Sequence, residues 1–129
     1  MNVNVPVTLL YGGLCALLIT LLGFHVSLLR VTKQIRFSQP VPKELQRTWR
    51  AHGNAAEWVP LGIVMLLVLE LTGRVQRLPL HLLGGAFLLA RALHAAGMLT
   101  RWRVSAVGST LNYLVLVVMA LMAVWLHFA

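Results

Sequence analysis

Five residues in this chain combine the types and spacing that chemistry needs: Arg50, Asn54 and Glu57, and further on Arg91 and His94. The first three are spaced i, i+4 and i+7, which gathers them on one side of a helix. Arg91 and His94, at i and i+3, share a face in the same way. A guanidinium, a carboxamide and a carboxylate on one face supply donors and acceptors together. That set, beside a basic loop, suits a polyanionic, water-soluble ligand. No metal centre is expected, because His25 and His52 make no ligand spacing with a cysteine or carboxylate and the chain has only three acids. Serine, histidine and glutamate occur without the strained turn of a nucleophile elbow.

The elements that must position these residues are membrane spans. Hydrophobic residues make up 59% of the chain and charged residues 11%, whereas a soluble domain carries roughly a quarter charged. Four apolar stretches, about 6–29, 41–72, 78–99 and 105–128, are each long enough to cross the ~30 Å of bilayer hydrocarbon. The gaps between the later stretches are short, so successive helices are antiparallel neighbours. The expected fold is all-α: one domain over 1–129, an integral membrane four-helix up-down bundle. Pro6 suits a first helical turn. Pro60 removes the helical partner of the Ala56 carbonyl and predicts a kink beside Glu57. Gly84, Gly85 and Gly97 are expected to let helices approach closely. The one cysteine, Cys15, lies in an apolar run and reads as a packing residue.

Charge is distributed as in a membrane protein. The net charge is +8, and of eleven Lys and Arg, six lie between Arg30 and Arg50. A basic cluster beside an apolar span is a cytoplasmic loop meeting anionic headgroups, and no aromatic-interleaved patch supports nucleic-acid binding. Positive-inside counting places both termini outside and the first and third loops in the cytoplasm. Trp49 and Trp102 then mark the cytoplasmic interface and Trp125 the opposite one.

Depth sharpens the polar cluster. Glu57 lies roughly 15 Å inward from Arg47, and Arg91 is about as far inward from Arg101. Acid and base at matching depth are expected to pair, either as structural glue between helices or as part of a ligand site.

Helix 2 reads Arg50-Ala51-His52-Gly53-Asn54-Ala55-Ala56-Glu57-Trp58-Val59-Pro60, and helix 3 reads Arg91-Ala92-Leu93-His94-Ala95-Ala96-Gly97. These stretches resemble the signatures of the MAPEG superfamily, membrane-associated proteins in eicosanoid and glutathione metabolism, and the chain looks most like its small bacterial branch. The resemblance covers essentially the whole chain. It implies a homotrimer in the bacterial inner membrane, with periplasmic termini and glutathione bound near the cytoplasmic face. It also implies that Arg50, Asn54, Glu57, Arg91 and His94 contact that glutathione, and that an apolar substrate arrives from the membrane lipids. Two positions depart from catalytic members. Met98 stands where they carry a tyrosine, and Val107 stands where an arginine faces the glutathione sulfur. Arg101 or Arg103 could replace that cation, and Ser105, Ser109 or Tyr113 could supply a hydroxyl. Two functions stay open on these residues: a transferase or lipid-hydroperoxide reductase using glutathione, and a non-catalytic lipid- or partner-binding scaffold of the same fold.

Overall fold

A computed structural model describes residues 4–35, 40–100 and 102–129. Those residues form four helices: α1 Pro6–Thr32, α2 Lys43–Leu71, α3 Arg77–Leu99 and α4 Trp102–Phe128. Each is long and apolar enough to cross a membrane. Two ends differ from expectation. The first helix continues through Thr32, its backbone ladder uninterrupted by the polar residues after Leu29. The fourth starts at Trp102, so the α3–α4 connection is only two residues. Pro6 stands in the first turn of α1, where its missing N–H costs nothing. The second helix runs continuously through Pro60. Arg36 and Arg101 lie outside the described residues.

α2 and α3 occupy the middle of the bundle, with α1 and α4 on the flanks; among the described residues the backbones of α1 and α4 make no close approach. The core holds Val7, Cys15, Val59, Leu66, Leu69, Leu80, Phe87, Val115 and Met119. Leucines and valines on the outward faces are exposed, as helices solvated by lipid hydrocarbon require.

Cross-helix hydrogen bonds set the up-down order. The Glu70 carboxylate, at the end of α2, accepts from the backbone N–H of Val7 at 2.9 Å and of Thr8 at 2.7 Å. These amides open α1 and have no intrahelical partner, so the carboxylate serves as a cap from another helix. Arg74, in the next turn, donates from Nη1 to the Leu126 carbonyl near the end of α4 at 2.6 Å. The start of α1, the end of α2, the start of α3 and the end of α4 therefore share one end of the bundle. Gly73 makes that turn at φ +64°, a backbone region that favours glycine. At the opposite end Lys33 pairs with Glu44, and the Arg30 guanidinium lies 5.7 Å from the centre of the Trp49 ring.

The closest helix approach is between α3 and α4. A Cβ at Gly97 would fall 2.0 Å from the Ser105 nitrogen, and one at Gly108 would fall 2.3 Å from the His94 nitrogen. Gly97 was expected to permit close packing; Gly108 does the same from the facing helix.

Candidate functional site

Arg50, Asn54 and Glu57 line one groove, as their spacing predicts. It encloses about 380 Å³ and is bordered also by Trp49, Gly53 and Met98. Arg50 and Glu57 are exposed, and Asn54 is half-buried. At 3.6 residues per turn, Asn54 is rotated by about 60° from Glu57 around the helix. That rotation turns Asn54 toward α3.

Behind the groove lies Arg91, 1% exposed and the largest fully buried side chain among the described residues. Its Nη2 donates to Asn54 Oδ1 at 2.6 Å, and its Nη1 donates to Asn112 Oδ1 at 3.4 Å. The third guanidinium nitrogen, Nε, is buried without a hydrogen-bond partner. Arg91 therefore links α2, α3 and α4. The expected ion pair with Glu57 does not form: among the described residues Arg91 donates to two amide oxygens, and Glu57 stays exposed on the groove. Asn54, rotated toward α3, occupies the donor direction that Glu57 would need. A charge buried this deeply needs hydrogen-bonded partners, and the two carboxamides supply them.

With Oδ1 of Asn54 engaged by Arg91, its Nδ2 is left to donate. The groove thus presents a cation from Arg50, an N–H donor from Asn54 and an anion from Glu57. This combination is complementary to a ligand bearing both carboxylate and ammonium groups.

His94 is directed elsewhere. Its Nδ1 lies 2.9 Å from the Ser105 carbonyl oxygen and 3.1 Å from Ser105 Oγ. A carbonyl only accepts, so the 2.9 Å contact requires a proton on Nδ1. His94 therefore fastens α3 to the first turn of α4 and does not border the groove.

The other candidates scatter. Arg103 and Ser105 line a separate cavity of about 620 Å³ with Arg47, Thr100 and Trp102; Met98 borders both spaces. Tyr113 packs edge-on against Trp58, ring centres 5.2 Å apart, in an apolar recess of about 290 Å³ with Leu61 and Met65. Ser109 is half-buried, Val107 is exposed on the outward face of α4, and Arg101 lies outside the described residues. The residue that sequence reasoning missed is Asn112, 2% exposed. Its signal was available: an amide inside the apolar run of α4, where an unpaired polar group is costly.

These features define a polytopic four-helix membrane protein with a charged groove at one end of its bundle. The chain belongs to the MAPEG family, whose family model matches residues 8–125. It is similar to the inner membrane protein YecN of Escherichia coli K12, with 36% identity over 117 residues covering 88% of each chain. YecN from a second Escherichia coli strain, of serotype O6:H1, matches to the same extent.

Proposed function

We propose that this protein binds glutathione in the groove of Arg50, Asn54 and Glu57, as a multi-pass protein of the bacterial inner membrane. The observation that carries the reading is the convergence of those three side chains, with the Asn54 oxygen held by Arg91. Glutathione carries two carboxylates and one ammonium group. Arg50 and the Asn54 amide would hold a carboxylate, and Glu57 would hold the ammonium. Membership in a family with glutathione-related roles favours this ligand over other zwitterions. On this reading the groove faces the cytoplasm, both termini are periplasmic, and a homotrimer closes the open side of the groove with a neighbouring subunit.

Conjugation of glutathione to an apolar electrophile, or reduction of a lipid hydroperoxide, is the activity this site would support, with the second substrate entering from the bilayer. The recess beside Trp58 and Tyr113, next along α2 from Glu57, is apolar enough to receive it. One observation favours a second reading, binding without thiol activation. Met98, at the groove, has neither hydroxyl nor charge, and Val107 is turned outward.

Thermal unfolding of the detergent-solubilised protein with millimolar glutathione tests the binding step. Stabilisation of wild type that is absent from Arg50→Ala is the expected result; no stabilisation of wild type refutes glutathione binding. Ultraviolet absorbance at the thiolate band on mixing then separates the readings. A thiolate signal means an activated co-substrate, and stabilisation without that signal means a binding protein.

A further inference from the structure

The geometry points to a second ligand site: an anionic phospholipid whose headgroup phosphate sits between Arg47 and Arg103, with an acyl chain along α4. This inference does not rest on glutathione binding, because neither Arg47 nor Arg103 lines the groove around Asn54.

The cavity between the first turns of α2 and the α3–α4 connection encloses about 620 Å³. Arg47 enters from α2, Trp102, Arg103 and Ser105 enter from α4, and Thr100 closes the connection. Among the described residues, two guanidiniums and two hydroxyls meet there with no carboxylate in the lining. The nearest acid across Arg47 is Glu44, which borders the adjoining cavity and is already paired with Lys33. The local charge is therefore positive. A phosphodiester, with its negative charge and several acceptor oxygens, is complementary to such a lining.

A second observation selects a lipid over a soluble anion. From Arg103 the same face of α4 continues through Val107 and Leu114, which are 61% and 59% exposed. Steps of four and seven residues keep these side chains in one nearly axial row. Arg103 to Leu114 spans about 16 Å of helix, close to half of the ~30 Å hydrocarbon core. Trp102, 75% exposed, lies one residue before Arg103 at the same depth, where an interfacial indole belongs. A free phosphate would meet the charged half of this surface and leave the aliphatic half unused.

Native mass spectrometry of the full chain from mixed micelles of phosphatidylglycerol and phosphatidylcholine, matched in chain length, tests the site. Each arginine at the headgroup level is worth about fivefold in anionic-lipid retention. Wild type should thus retain phosphatidylglycerol preferentially, and Arg47→Gln with Arg103→Gln should bring the two lipids to near parity. Lysine at both positions should keep most of the preference, and Arg77→Gln, at the other end of the bundle, should keep all of it. If the glutamine pair does not fold, tryptophan quenching in wild type gives the same discrimination. Brominated phosphatidylglycerol should then quench more than brominated phosphatidylcholine, and inorganic phosphate at matched ionic strength should not reverse this. Equal retention of both lipids by wild type, an unchanged preference in a folded glutamine pair, or displacement of the lipid by inorganic phosphate would overturn the proposal.

Discussion

Arg91 Nη2 on α3 donates to Asn54 Oδ1 on α2 at 2.6 Å, and this bond connects the buried interior of the bundle to its open groove. The guanidinium lies inside, the carboxamide lies at the boundary, and the free Nδ2 of Asn54 is the end available to a ligand. A residue that never borders the groove thus fixes how one of its lining residues is presented.

The two should be energetically coupled. A hydrogen bond to a charged group contributes about 1.5–3 kcal/mol, so Asn54→Ala is expected to destabilise the protein by that order. In an Arg91→Met background the same change should cost much less, because no buried charge is left waiting for a partner. Denaturant unfolding of the four proteins in detergent measures the coupling. Purely additive effects would mean that the pair contributes nothing beyond its members.

Asn112 holds Arg91 from the other side at 3.4 Å, near the outer limit of hydrogen-bond geometry. Asn112→Ala should therefore cost less stability than Asn54→Ala, on the order of 1 kcal/mol. Because it also frees Nη1 of Arg91, it should weaken glutathione-dependent stabilisation although Asn112 lies behind the groove. Thermal midpoints with and without glutathione read both effects.

The seam between α3 and α4 leaves no room for a methyl group. Gly108→Ala would set its Cβ 2.3 Å from the His94 nitrogen and 2.8 Å from the Ala90 carbonyl, both backbone atoms that cannot swing aside. A loss of about 1–3 kcal/mol or more is expected from such overpacking. Gly53→Ala serves as the control, since its Cβ would meet nothing within 4 Å. Comparable melting of the two variants would show that the seam is looser than these distances indicate.

At the far end of the bundle, Glu70→Gln removes the negative charge that caps α1. A loss of about 1 kcal/mol is expected from the missing charge at a helix N-terminus. Hydrogen exchange should rise at the amides of Val7 and Thr8 while the groove residues keep their protection. Unchanged exchange at those amides would contradict the capping role.

Much of this was readable from the chain because periodicity and hydrocarbon thickness are strong constraints. Four spans, their alternation, and the shared groove of Arg50, Asn54 and Glu57 follow from spacing alone. What spacing could not reveal is which of two acceptors on neighbouring turns meets Arg91. Glu57 has the opposite charge and the right depth, but Asn54 has the right angle about the helix axis, and the angle decides. His94 shares a face with Arg91 in sequence, yet the close approach that Gly97 and Gly108 allow brings Ser105 within its reach. Asn112, Glu70 and Arg74 act across helices far apart in sequence, and only the packed bundle brings them to their partners.

Glutathione binding at the groove is tested most directly by titration calorimetry on the detergent-solubilised protein, with Arg50→Gln and Glu57→Gln beside wild type. Wild type should show saturable heat, and each variant should bind at least about tenfold more weakly, as loss of one charged hydrogen bond implies. Absence of saturable heat in wild type, or unchanged affinity in both variants, would contradict the account.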